Sequence, residues 1–316
     1  MQNISSVQDK LQRVIENIEQ VIVGKQEAVL LSLVALIAEG HVLLEDVPGV
    51  GKTMMVKALA KSINVDFKRI QFTPDLLPSD VVGVSIYNPK EAEFQYRPGP
   101  IMSHIVLGDE INRTSPKTQS ALLEGMEEGR VTVDGVTRKL PAPFFVMATQ
   151  NPIEFEGTYT LPEAQLDRFL LKLNMGYPTI NEEVEILNRL GMDEPIERLH
   201  PVMNVEDLLE IQKRVKEVYV DETIKRYIVE LTHRTRQHEL IHLGVSPRGS
   251  IALMKAAQAL ALLHGRDYCL PDDIQELAPY VLAHRLILKS EAKFGGHTPE
   301  EIIKQIIQKV YVPIKR

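Results

Sequence analysis

Residues 44–53, LEDVPGVGKT, restrict the fold of this chain more than any other stretch. An apolar run, His41 to Glu45, enters a glycine loop and leaves it as Lys52, Thr53 and a helical run from Met54 to Ser62. Strand, glycine loop and helix in that order form a phosphate cradle. Glycines let backbone N–H groups converge on phosphate oxygens with no Cβ in the way, and the following helix adds the positive end of its dipole. The loop residues Pro48, Gly49, Val50 and Gly51, with Lys52, Thr53 and Met54, are therefore the expected triphosphate contacts. Lys52 would reach the β- and γ-phosphates and the Thr53 hydroxyl would ligate Mg²⁺. Asp46 stands where the usual pattern has its first glycine, which leaves the loop geometry open at that point.

A second motif follows in the expected order. Ile105-Val106-Leu107 is a buried-strand run that ends in Asp109-Glu110, and open α/β sheets bind ligands at the C-terminal ends of their strands. Asp109 would hold magnesium, directly or through water, and Glu110 would act as general base on the attacking water. Together the two motifs predict nucleotide hydrolysis.

Alternating strands and helices organise the first half: strands at 41–45, 67–72, 104–109, 143–149 and 169–174, with helices at 52–62 and 116–128. That order predicts a parallel sheet covered on both faces. From Asn181 onward apolar residues recur at helical spacing, as in Val205, Leu208, Leu209, Ile211 and Val215. The Gly176-Tyr177-Pro178-Thr179 cluster marks the junction, so residues 1–177 are read as an αβα nucleotide-binding domain and 178–316 as a helical lid. Two insertions interrupt the alternation. Residues 73–100 combine proline-rich turns with alternating stretches and predict a hairpin. In residues 130–139, Asp134-Gly135 between β-branched residues predicts a second one. The second hairpin is an ordinary solvent-facing turn or a loop that touches a substrate or partner.

Composition narrows the function classes. A chain of 316 residues with a formal net charge of −7 argues against affinity built on nucleic-acid phosphates, although Arg130, Arg138 and Lys139 could make a local basic loop. A lone cysteine, Cys269, excludes an internal disulfide framework and fits a reducing compartment. The N-terminal stretch lacks a basic patch followed by an apolar core, and the longest apolar run, Val29 to Ala38, is too short to span a bilayer. A cytoplasmic protein is expected.

The stretches Val21-Ile22-Val23-Gly24, LLEDVPGVGKT, DEINRTSPKTQSALLEGMEE, VMATQNP, LPEAQLDRF and GVSPRGS together resemble the MoxR family of AAA+ ATPases, in the clade with a helix-2 insertion. The likeness covers essentially the whole chain. It implies an α/β fold, an AAA+ parallel-sheet αβα ATPase domain followed by an all-α lid, with ATP and Mg²⁺ bound between subunits of a homo-oligomer, commonly a hexamer. By motif, Ile22, Val23 and Gly24 lie where the family packs adenine. Asn151 matches the sensor 1 position that orients water. Arg168 matches the arginine finger, the plain alternative being an ion pair with Asp167 or another acid. Arg248 matches sensor 2, with its own subunit or the next as its target. Residues 73–100 and 130–139 correspond to the helix-2 insert and pre-sensor-1 hairpin, and Gln71 would restrain Glu110. The resemblance also implies chaperone-like remodelling or maturation of a client protein, often with a von Willebrand factor A domain partner.

Two rival functions arise. Related rings include nucleic-acid-dependent motors and loaders, which the acidic balance and absence of an appended DNA-binding module oppose. His238-Glu239-Leu240-Ile241-His242 fits the H-E-x-x-H pattern of zinc metalloproteases, but Gly244 and Pro247 follow where the helix should continue.

Overall fold

The computed structural model describes residues 4–46, 49–151, 158–189 and 195–313. In chain order, α1 (Ile4–Glu19) and α2 (Gln26–Ile37) precede β1 (Val42–Glu45), and α3 (Lys52–Ile63) leads to β2 (Phe67–Gln71). A short helix α4 (Pro78–Val82) and the strands β3 (Gly83–Asn88) and β4 (Glu93–Pro98) come next. Then follow β5 (Ile105–Asp109), α5 (Pro116–Glu128), β6 (Arg130–Val133), β7 (Val136–Lys139), β8 (Phe145–Gln150), α6 (Glu163–Leu166) and β9 (Leu171–Leu173).

Five of these strands make one sheet in the order β2-β5-β8-β1-β9, and every pairing in it is parallel. Val42, Leu44, Ile105, Leu107, Phe145 and Met147 join one apolar core, while Leu43, Val106, Val146 and Ala148 join another. Successive residues point to opposite faces, so continuous apolar runs are what a sheet buried on both sides requires. The first core takes in α1, α2 and α3, and the second takes in Leu122, Leu123 and Met126 of α5. Gly108 admits the packing on that second side, because a Cβ there would stand 3.1 Å from the Phe72 ring and 3.3 Å from Leu122.

Both predicted hairpins form. Residues 73–100 hold α4 and the antiparallel β3–β4 pair. The β6–β7 turn places Asp134 at φ 52° and Gly135 at φ 75°, the left-handed pair that a two-residue hairpin loop needs. Arg138 lies 3.9 Å from the centroid of the Tyr96 ring, so the two hairpins touch. Arg130 pairs with Glu128 at 2.8 Å, which occupies part of the predicted basic loop.

Beyond β9 the chain is mainly helical: α7 (Ile180–Arg189), α8 (Val205–Glu217), α9 (Glu222–Gln237), α10 (Pro247–Leu263), α11 (Pro271–Leu282), α12 (Ser290–Phe294) and α13 (Pro299–Lys309). A small antiparallel pair, β10 (Ile241–Leu243) and β11 (Ile287–Leu288), joins them. The first core runs on into this region through Leu208, Ile211, Leu253, Leu260, Ile274 and Ile302. Among the described residues no helix is long and apolar enough to cross a membrane.

The HELIH stretch is corrected by its conformation. Helix α9 stops at Gln237, and His238 caps it with an extended backbone, φ −76° and ψ 132°. Ile241 and His242 then belong to β10. A zinc helix needs both histidines on one helical face, and here a helix end, a turn and a strand separate them.

Candidate active site

Helix α3 begins at Lys52 on a Gly51 cap with φ 93° and no side-chain cap, and Gly49 has φ 87°. Among the described residues no atom lies within 4 Å of a Cβ added at either glycine, so backbone conformation rather than crowding demands them. The first-turn N–H groups of α3 open into a cavity of about 430 Å³ lined by Gly49, Gly51, Lys52, Thr53, Met54, Asp109, Glu110 and Asn151, among others. The donor-rich helix start faces two carboxylates, which is the donor set a magnesium-bound triphosphate calls for. Lys52 Nζ donates to the Asp46 carbonyl at 3.2 Å.

The acidic pair sits in a hydrogen-bonded chain. Thr149 Oγ1 donates to Asp109 Oδ1 at 2.6 Å and accepts from the Glu110 N–H at 2.8 Å. Arg69 donates to Asp109 Oδ2 from Nε at 3.1 Å and from its terminal nitrogen at 2.5 Å, and the same nitrogen donates to Gln71 Oε1 at 2.7 Å. Gln71 Nε2 then donates to Glu110 Oε2 at 3.0 Å, and Arg113 donates to that oxygen at 2.9 Å. Glu110 itself is left-handed, φ 56° and ψ 50°. For a residue with a Cβ that conformation costs on the order of 1–2 kcal/mol, and such strain gathers where side-chain direction matters.

Asp46 shows what the substituted glycine position does. Its carboxylate is buried and accepts the N–H groups of Met175 and Gly176, the latter at 3.2 and 3.3 Å. Lys25 Nζ takes the carbonyls of the same stretch, Met175 at 2.8 Å and Gly176 and Tyr177 at 3.1 Å each. The loop end and the segment leaving the sheet are thereby tied together.

Other predicted residues lie elsewhere. Val50 packs against the apolar core. Ile22 is buried, and Gly24 lies under the Glu182 side chain of α7. Ile22, Val23 and Gly24 do not line the 430 Å³ cavity. Pro48 lies outside the described residues.

Arg168 and Arg248 are also absent from that lining. Both reach Glu127 near the end of α5, at 3.0 Å and 3.3 Å. Arg168 thus has an acid partner, though not its neighbour: Asp167 pairs with the buried Arg285 at 2.7 Å. Arg285 also donates to the Asp167 carbonyl at 3.2 Å and the Phe169 carbonyl at 2.7 Å, which shortens the predicted 169–174 strand. The Leu170 N–H bonds the His41 carbonyl at 2.8 Å, so this loop sits at the N-terminal end of β1, whereas Asp46 and the phosphate loop follow its C-terminal end.

Sequence reading passed over Arg69, Arg113, Thr149, Glu127 and Arg285. Arg113, Glu127 and Thr149 lie inside motifs that offered a signal, the first two in DEINRTSPKTQSALLEGMEE and the third in VMATQNP, whereas Arg69 and Arg285 do not.

A parallel sheet in this strand order, a glycine loop at a helix start and an acidic pair at the end of the next strand but one define a nucleotide-hydrolysing AAA-type protein. Residues 41–171 match the family model described as ATPase family associated with various cellular activities (AAA), and residues 233–306 match that of the AAA lid domain. The chain is 66% identical to the uncharacterized protein YeaC of Bacillus subtilis over 306 residues, covering 97% of this chain and 96% of that one. It is 44% identical to Chaperone MoxR1 of Mycobacterium tuberculosis over 312 residues, covering 96% and 82%. A crystal structure of an ATPase candidate from Cytophaga hutchinsonii superimposes with a TM-score of 0.92 at 40% identity, covering 98% and 97%. The chain belongs to the MoxR family of AAA+ ATPases.

Proposed function

We propose that this ATPase works as a homo-oligomeric ring, hexameric in its working form, that remodels or matures client proteins in the cytoplasm. The supporting observation is the division of the catalytic groups between two ends of the sheet. Lys52, Thr53, Asp109, Glu110 and Asn151 share the cavity at the C-terminal strand ends. Arg168 and Arg248 meet beyond the N-terminal end of β1. From His41 to Asp46 the strand advances roughly 16 Å at about 3.3 Å per residue. In this reading the arginine pair on that far side serves a neighbour's nucleotide, with Arg248 at the same interface as Arg168.

In this reading the loop N–H groups from Gly49 to Met54 and Lys52 Nζ hold the phosphates. Thr53 and Asp109 would hold Mg²⁺, which neutralises charge on the phosphate oxygens when bound. Glu110 takes a proton from water held by Asn151; the water oxygen bonds to the γ-phosphorus and the bond to the bridging oxygen breaks, releasing ADP and phosphate. The arginines stabilise charge on the transferring group. Gln71 and Arg113 hold the Glu110 carboxylate and must share it when it accepts the proton. Residues 1–177 act as the nucleotide-binding domain and 178–316 as the lid, with Ile22, Val23 and Gly24 at the adenine edge between them. The 73–100 segment is the helix-2 insert, and with the 130–139 hairpin it faces the client, whose partner carries a von Willebrand factor A domain. The name of the M. tuberculosis relative, a chaperone, supports this role.

Glu110→Gln tests the reading. Turnover should fall about 100- to 10,000-fold, the range for losing a general base, while ATP binding measured by calorimetry persists. Wild-type turnover in this variant would refute the assignment. The same variant, as a trap, should retain the client protein on purification, and stimulation of turnover by DNA would favour a nucleic-acid motor instead.

A further inference from the structure

We propose that Glu127 is a positioning residue that sets Arg168 and Arg248 as one cationic unit for the adjacent subunit's nucleotide. The inference rests on the reading of those arginines as trans-acting. Its basis is a convergence of three elements on one carboxylate. Glu127 stands near the end of α5; its Oε2 takes Arg168, from the loop after α6, at 3.0 Å, and its Oε1 takes Arg248, from the first turn of α10, at 3.3 Å. Each oxygen serves one guanidinium.

Two guanidinium groups brought side by side repel each other, and an anion between them turns that repulsion into attraction. The trio retains one net positive charge, the sign that an incoming γ-phosphate requires. A carboxylate also fixes the plane and direction of each guanidinium, because charge-assisted hydrogen bonds of this kind are directional. Arg248 is 67% exposed and Arg168 27% exposed, so neither side chain is fixed by packing alone.

The foundation beneath the trio does not depend on Glu127. Arg285, with a side chain only 4% exposed, grips Asp167 and the Phe169 carbonyl. It also passes under the start of α10, where a Cβ on Gly249 would stand 3.1 Å from Arg285 Cδ. Loss of Glu127 should therefore release two side chains and leave their backbones in place. Exposed ion pairs contribute little to stability, so the effect belongs in turnover and not in the melting temperature.

The test uses the full chain, with steady-state ATPase rates, ATP affinity and thermal melting for Glu127→Gln, Arg168→Ala and Arg248→Ala. Glutamine keeps the shape of Glu127 and removes its charge. Glu127→Gln should lose about 10- to 100-fold in kcat, the scale of a misplaced catalytic group. Its KM for ATP should stay within about twofold and its melting point within about 2 °C, as expected for losing an exposed pair. Mixing it with Lys52→Ala subunits, which keep an intact arginine face, should restore activity; mixing it with Arg168→Ala subunits should not. Wild-type kcat in Glu127→Gln beside impaired Arg168→Ala and Arg248→Ala would overturn the role of Glu127 alone. Full activity in both arginine variants would overturn the trans reading beneath it. A lowered melting point with no rescue by Lys52→Ala would reduce Glu127 to a structural contact.

Discussion

His41 shows how one buried ring makes stability depend on acid. Its ring is buried at the entry to β1, 5.7 Å from the Phe144 ring centroid. Nδ1 accepts the Val146 N–H at 3.0 Å, so the ring proton resides on Nε2 and bonds the Met126 carbonyl at 3.2 Å. A second proton would have to displace the Val146 bond, and burial lowers the pKa to about 4. In the unfolded chain the same ring titrates near 6.5. Between pH 6.5 and 4 the unfolded state takes up the proton and the folded state does not, so stability falls as pH falls through that window and is unaffected above it. The full loss is on the order of 3 kcal/mol. Urea unfolding across a pH series should show it, and His41→Gln, which cannot titrate, should flatten the His41 share of the slope; His284 and His238, both also lowered by burial, add to that slope with the same sign. Equal pH slopes for variant and wild type would remove His41 from this account.

At the scale of elements, the loop after β1 and the segment after β9 are joined by Asp46, and this joint is testable apart from catalysis. Replacing Asp46 by alanine leaves the Met175 and Gly176 N–H groups without their carboxylate, at about 1–3 kcal/mol. The melting temperature should fall by roughly 2–12 °C, at about 2–4 °C per kcal/mol for a chain of this kind. Asp46→Gly, which restores the usual glycine of the motif, should be no more stable than Asp46→Ala. Recovery of the wild-type melting point by glycine would mean that the position serves loop geometry instead. This joint also marks what the chain made legible and what it hid. Apolar runs located all five sheet strands to within a few residues, because a sheet covered on both faces needs them, and Asp134-Gly135 located a turn, because only left-handed residues close it. Local spacing pointed to Lys52, Thr53, Asp109 and Glu110, and the resemblance to Asn151, and the fold brings all five to one cavity. The partners of Asp46, Glu127 and Arg285 were not readable, since each contact joins positions far apart in the chain and leaves no periodic trace. HELIH failed in the opposite direction, a local spacing that suited a helix where the fold ends one.

For the whole molecule, the separation of the two half-sites predicts how mixed assemblies behave. In the proposed ring, each copy of the chain would present the phosphate cavity at one end of β1 and the Glu127 cluster at the other. Joining unlike ends is a heterologous contact, and a closed ring is the form that satisfies every copy. Arg168→Ala subunits keep an intact cavity, and Glu110→Gln subunits keep an intact arginine face. Alone, each variant assembles only defective interfaces. In an equal random mixture about one quarter of the head-to-tail interfaces pair an intact cavity with an intact face. ATPase activity should then rise from near zero for either variant toward about one quarter of the wild-type rate per subunit if interfaces act independently, with a maximum at equal proportions. Independent action is itself tested by the shape of the curve, because a ring that fires only when all its interfaces are sound would stay near the parental rates at every ratio while still binding ATP. An arginine that served its own subunit would give a straight line between the two parents and show no concentration dependence of turnover. Dilution distinguishes these cases, since a site completed by a neighbour loses turnover as the ring dissociates, at concentrations where the phosphate cavity of each subunit still binds nucleotide.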